Sequence, residues 1–181
     1  MRIHIFGASG SGVTTLGKQL SQQLRYPYFD NDEFFWEPSD PPFTIRRDPQ
    51  LRNQMLRDNI DDLDDYIVGG SMVSWGHEWL SAFDLAVFLY IPPDIRLERL
   101  KAREHGRYGD IIYIDPERHR QYLEFLAWAE SYDDPASTRR SIGVHNKWML
   151  GLTCKVIRIE GDTSVEERVR LVSDVVQTQS C

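Results

Sequence analysis

The chain has no apolar run near the roughly twenty residues that a helix needs to cross a bilayer. Its first residues lead directly into a strand rather than a charged leader with a cleavage site, so we expect neither secretion nor membrane insertion. Cysteine is nearly missing. Cys154 and the terminal Cys181 are the two present, at no metal or redox spacing, which excludes a disulfide scaffold and points to a reducing compartment, the cytoplasm. Positive charge is in deficit: 21 Lys and Arg against 28 Asp and Glu leave a net charge of −7, which argues against a nucleic-acid or anionic-membrane binder. Internal repeats, low-complexity tracts and like-charge blocks are absent as well. What remains, 41% hydrophobic and 12% aromatic over 181 residues, is the composition of one globular domain, compatible with a monomer or a homodimer.

One further absence concerns a single side chain. Arg2 to Phe6 read as a short buried strand, Gly7 to Gly12 as a glycine-rich turn, and Thr14 onward as a helix with Leu16, Leu20 and Leu24 at every fourth position. Against the phosphate-loop pattern G-x-x-x-x-G-K-[ST], Gly7 and Gly12 are the two glycines and Thr14 the magnesium-ligating hydroxyl, but Val13 stands where lysine belongs. Glycines let successive N–H groups of Gly7, Ser9, Gly10, Ser11, Gly12, Val13, Thr14 and Thr15 converge on an anion at the positive end of the helix, so binding follows from backbone. The missing lysine bears on rate, because a positioned donor at such a site is worth roughly 3–4 kcal/mol in the transition state. A fast enzyme needs another cation in its place. The plainer alternative is a turn that merely joins strand to helix.

Further segments carry candidate chemistry. Tyr26 to Asp30 reads as a second strand ending in Asp30-Asn31-Asp32, where one carboxylate assists magnesium and the other takes a proton from an acceptor hydroxyl; otherwise the pair is a helix cap with a solvated neighbour. Arg46 and Arg47, in a proline-rich loop, either clamp an anionic acceptor or lie in solvent. A helix over 50–65 follows, then a strand from Tyr66 running into Gly69-Gly70, and Trp75, which either walls an acceptor pocket or fills core. The most apolar strand, Phe83 to Ile91, is expected at the centre of a parallel sheet. Pro92 and Pro93 start a helix on which Arg96, Arg99, Arg103 and Arg107 form one stripe, with Leu97 and Leu100 off it. These arginines either close on nucleotide phosphates, supplying the charge that Val13 withholds, or form a solvated face paired with Glu98 and Glu104. Gly106 and Gly109 give a candidate lid over about 103–118 its hinges. Helices are expected over 117–132 and 137–150, the second carrying Arg139, Arg140 and His145, with either arginine able to reach phosphate. A last strand over 154–159 and a capping box at Ser164-Val-Glu-Glu167 complete the order, with the turn before it beside a nucleotide base or simply a cap.

In parts and in order, the whole chain resembles the small-molecule kinases of the phosphate-loop class: nucleoside monophosphate, shikimate and gluconate kinases and bacterial proteins described as adenylate-kinase-related. That resemblance implies a three-layer, doubly wound α/β fold with a five-stranded parallel sheet in the order 2-3-1-4-5, a small lid, and an acceptor-binding insertion over about 32–65. It implies ATP and Mg2+ as cofactors and transfer of the terminal phosphate to a small metabolite or nucleotide. By position, Asp30 resembles the acid near magnesium, Asp32 the acid that meets the acceptor, Arg47 an acceptor-side arginine, Gly70 an acceptor-loop glycine, and Arg99 and Arg103 the lid pair near adenine and phosphate. Arg103 and Arg107 are the candidate catalytic cations. Val13 departs from the family pattern, Lys18 lies a full turn beyond Thr14, and the acceptor segment from Phe34 to Arg47 matches no single substrate subfamily. A catalytically weak nucleotide-binding regulator or ATPase is the alternative.

Overall fold

A computed structural model describes the chain except for residues 41, 135, 138, 139, 180 and 181. Five strands, β1 (Arg2–Gly7), β2 (Tyr28–Asp30), β3 (Tyr66–Gly69), β4 (Leu85–Tyr90) and β5 (Lys155–Glu160), form one sheet in the order β2-β3-β1-β4-β5. Every pairing is parallel. The order is the one the resemblance implies. Among the described residues there are eight α-helices, of which the first seven lie in the connections between strands and the last follows β5: α1 (Val13–Leu24), α2 (Asn31–Phe35), α3 (Pro49–Ile60), α4 (Pro93–Tyr108), α5 (Ile111–Ile114), α6 (Pro116–Glu130), α7 (Ile142–Gly151) and α8 (Val165–Gln179).

Period-two alternation in the strands divides the core between the faces of the sheet. Ile3 and Ile5 of β1, with Val87 and Leu89 of β4, meet Leu16 and Leu20 of α1 and Val169, Val172 and Val176 of α8 on one face. On the other, Val68 packs with Leu56 and Ile60 of α3, and Phe6 and Phe88 pack with residues of α7. β4 is buried along nearly its whole length, as an apolar strand flanked by two others must be.

Several boundaries differ from the sequence expectation. β2 begins at Tyr28 rather than Tyr26. α3 stops at Ile60, with residues 61–65 forming a turn. α7 begins at Ile142 because Ser141 caps it, its hydroxyl accepting from Val144 N at 3.3 Å, so Arg140 precedes the helix instead of riding on it. Arg139 lies outside the described residues.

The four-arginine stripe is split. Arg96 is 0% exposed and shares the inward row of α4 with Leu100 and Glu104, spaced four apart, so Leu100 lies on its row. Its guanidinium donates to the carbonyl oxygens of Ile91 (2.9 Å) and Ala129 (3.5 Å), pairs with Asp133, and lies over the Tyr132 ring at 5.0 Å. Helical spacing places residues on a common row without saying whether that row faces water, and here an arginine with enough acceptors faces the core.

Candidate functional site

The carboxyl ends of the strands open into a cavity of about 490 Å³, lined by the phosphate loop, Asp30 to Asp32, Gly70, Ser71, arginines of α4, Arg140, and the start of α8. Parallel strands place their loops at one end of the sheet, which is where ligands gather in this class of fold.

The phosphate loop is built by close approach. Gly10 and Gly12 have φ of +82° and +91°, in the left-handed region, and a Cβ on Gly10 would lie 2.8 Å from the Arg96 carbonyl oxygen. Gly12 precedes α1 with no side chain capping the helix, leaving the first-turn N–H groups directed at the cavity. Thr14 and Thr15 line the same wall. Val13 lines it too, while packing its body on the apolar cluster that holds Leu16 and Leu20 of α1. An apolar side chain is thus anchored where a cation would otherwise reach over the loop.

Thr14 Oγ1 donates to Asp30 Oδ2 at 3.1 Å, and the Tyr28 hydroxyl donates to the same oxygen at 3.3 Å. Asp30 also caps α2, accepting from Asp32 N at 3.1 Å, so it is a helix cap whose other oxygen faces Thr14. A Cβ on Gly17 or on Gly69 would run into the Tyr28 ring, so these two glycines make room for the tyrosine. Gly70, with φ of +109°, similarly yields to Asn31, whose amide donates to the Ser71 carbonyl oxygen at 2.8 Å.

Asp32 is open to the cavity. Withdrawal of water by the walls, then the neighbouring charge of Asp30, raises its carboxyl above the usual value, while Arg140, Arg103 and Arg107, in that order, pull it back. A carboxylate so placed can accept a proton and has cations beside it.

Among the described residues five arginines line the cavity. Arg99 pairs with Asp162 in the turn after β5. Arg103 donates to Glu104 Oε1 through Nε (3.0 Å) and Nη2 (2.9 Å), and Arg107 approaches the same oxygen at 3.9 Å. Arg140 donates through Nη2 to Ser9 Oγ at 2.9 Å and stacks on Trp128 at 4.8 Å. Arg168 is 3% exposed and braces the loop from behind, donating to Ser11 O (2.9 Å), Thr163 Oγ1 (2.9 Å) and Gly161 O (3.3 Å).

Two expected acceptor residues lie elsewhere. Arg47 donates from Nη1 to the carbonyl oxygens of Glu33 (3.0 Å) and Phe34 (2.6 Å), closing the end of α2. Trp75 is buried in the α3-side core under the Arg52 guanidinium, 4.6 Å from its ring centroid. Conversely, Arg168, Asn31 and Ser71 reach the cavity without having been singled out as site residues. Asn31 sits between two that were. Arg168 carries no local signal, since an arginine on an amphipathic helix usually faces water.

Ser71 belongs to a buried chain: its hydroxyl lies 2.9 Å from His145 Nε2, and the Tyr132 hydroxyl lies 2.7 Å from Nδ1. Burial, with Arg140 adding to it, pushes His145 down to about 3, so the ring is neutral and its two hydrogen bonds orient Ser71.

A family model described as AAA domain matches residues 3–120. The uncharacterized protein YqaC of Bacillus subtilis (strain 168) is 41% identical over 97% of this chain and 97% of its own length. The bifunctional shikimate kinase/3-dehydroquinate synthase of Thermotoga maritima is 30% identical over 69% of this chain and 28% of its own length. Among solved structures, deoxyadenosine kinase from M. mycoides with bound dATP superposes with a TM-score of 0.60 at 14% identity, over 98% of this chain and 100% of that one, a likeness of fold.

Proposed function

Since the chain belongs to the AAA domain family and has the fold of phosphate-loop small-molecule kinases, we propose that it is an ATP-dependent, Mg2+-requiring phosphotransferase of the cytoplasm acting on a small metabolite or nucleotide. The observation that carries this reading is the joining, in one cavity, of the phosphate loop, the Thr14–Asp30 pair, Asp32 and the arginines of α4. Two positive-φ glycines and an uncapped helix end suit a triphosphate. The metal fits as well. Thr14 Oγ1 and Asp30 Oδ2 lie 3.1 Å apart on the cavity wall, an oxygen pair suited to stand beside Mg2+ taken mainly by phosphate and water oxygens.

Bound Mg2+ would neutralise charge on the triphosphate oxygens. The loop amides hold the phosphates, Asp32 accepts the proton of the acceptor hydroxyl as that oxygen bonds to the terminal phosphorus, and ADP leaves with the electrons of the broken bond. Arg99 faces the donor nucleotide. Arg103 and Arg107, on the helix leading into the lid, are freed from Glu104 by the more highly charged phosphates. Asn31, Gly70 and Ser71 form the polar wall that meets the acceptor.

Incubation with Mg·ATP and a panel of nucleosides, nucleotides, sugar acids and other hydroxylated metabolites tests the reading. ADP release that depends on one acceptor class, and falls about 10²- to 10⁴-fold in Asp32→Asn with little change in ATP affinity, is the expected result. Its rate should also fall on acidification through a value above the ordinary aspartate range, as Asp32 protonates. Failure to bind ATP, or turnover indifferent to Asp32, would overturn it. Val13 favours a second reading, a nucleotide-binding regulator; tight Mg·ATP binding with neither transfer nor hydrolysis would select that one.

A further inference from the structure

We propose that Arg140 stands in for the absent phosphate-loop lysine, placing its guanidinium on the terminal phosphate from the far side of the loop. The inference rests on the nucleotide-binding reading above and adds to it the identity of the group that senses the third phosphate.

Among the described residues four other cations reach the cavity, and each already has a partner in this structure. Arg168 uses both terminal nitrogens and Nε on the carbonyl oxygens of Ser11 and Gly161 and the hydroxyl of Thr163, so its charge holds the loop in shape. Arg99 is held by Asp162 near the turn after β5. Arg103 and Arg107 share the carboxylate of Glu104, a buried residue of their own helix. Among the described residues Arg140 has no carboxylate in ion-pair range, and its guanidinium makes a single hydrogen bond, to Ser9 Oγ. An arginine carries five N–H donors, so most of them are available to a ligand.

Its position is equally specific. Ser9 lies in the middle of the phosphate loop, and Asp32 is the acid at the acceptor side; Arg140 touches the first and is the foremost cation acting on the second. Arg140 and Asp32 line one cavity with the loop, so the guanidinium shares the space in which a phosphoryl group would be transferred. Stacking on Trp128 at 4.8 Å fixes the plane of the guanidinium. Val13 leaves this side of the loop without a competing charge: a lysine there would meet Arg140 over the same phosphate, and like charges at close range disfavour each other.

Calorimetric titration of the purified chain with Mg2+ and either a non-hydrolysable ATP analogue or ADP reads this out without knowledge of the acceptor. The native chain should bind the triphosphate more tightly than the diphosphate. Arg140→Ala should shrink that ratio by roughly 10- to 100-fold, the value of a hydrogen bond to a charged group, while ADP affinity stays nearly constant. Arg140→Lys should retain part of it, and Val13→Lys in the Arg140→Ala background should restore it. Arg140→Lys, which keeps the charge, keeps the test open if Arg140→Ala folds poorly, as its melting curve will show: its ratio should also fall, and an unchanged ratio in it would overturn the proposal. An unchanged ratio in Arg140→Ala, or a ratio that collapses in Arg103→Ala instead, would overturn the proposal alone. Absence of triphosphate binding in the native chain would overturn both it and the kinase reading.

Discussion

Arg96 and Arg99 stand three residues apart on one helix, yet the first is sealed in the core and the second faces the cavity. The difference lies in what each meets. Around Arg96 are two carbonyl oxygens, the Asp133 carboxylate and an aromatic face, enough to replace its hydration. Truncating it would leave those acceptors without a donor. We expect Arg96→Ala to lower unfolding free energy by about 3–5 kcal/mol, the usual effect of removing one partner of a buried pair, measured as a fall in the urea midpoint. At this scale the sequence was most informative where backbone dictates chemistry. Gly7, Gly10, Gly12, Thr14, Asp30 and Asp32 could be placed from spacing alone, and they do line the cavity. Arg47 and Trp75 could not, because their destinations, carbonyls at the end of α2 and a ring under Arg52, depend on segments distant in sequence or on a local helix end that composition does not reveal.

Among elements, the strands were legible because parallel burial demands apolar runs, and β1, β3, β4 and β5 lie close to where those runs are. The third of the chain from α4 to α7 was less so. Its helices have mixed surfaces, and α7, capped by Ser141, starts at Ile142 rather than at 137. The packing of β1 against α7 also makes a testable demand. His4 of β1 is 0% exposed, stacked 4.7 Å from both Phe6 and Phe83 and bonded at 3.0 Å to the Gly70 carbonyl oxygen, and burial lowers it from 6.5 to about 4. His145 of α7 falls to about 3. Both rings are neutral when folded and take up protons on unfolding below 6.5. Their depressed values therefore favour the folded chain fully above pH 6.5, and that advantage is lost as pH falls toward about 4 and then about 3. For His4 the total loss is on the order of 3 kcal/mol at about 1.4 kcal/mol per unit. Urea titrations at pH 7.5 and pH 5 should show a lower midpoint at the acid value, and His4→Phe should flatten the dependence.

Across the whole molecule, the cavity draws on segments from both ends and the middle: residues 7–16, 30–32, 70–71, 99–107, 140 and 163–168. A ligand bridging them ties together parts that otherwise meet only through the sheet. Mg·ATP at a hundred times its dissociation constant should add about 2.7 kcal/mol, raising the melting temperature by about 5–10 °C for a chain of this size. A scan showing no shift at that excess would count against a site of this breadth. The overall charge of −7 is no obstacle, since among the described residues five arginines against Asp30 and Asp32 make the cavity locally cationic within an acidic protein.

Tyr28 fills the space that side chains on Gly17 and Gly69 would need, and its hydroxyl ends on Asp30. One aromatic ring thereby acts as a gauge block between helix and sheet, with its outer edge setting the height of the carboxylate at the rim. On the kinase reading proposed above, substitutions beneath β2 that let this ring settle by a fraction of an ångström would shift Asp30 while the fold still stands, so loss of turnover would precede loss of structure.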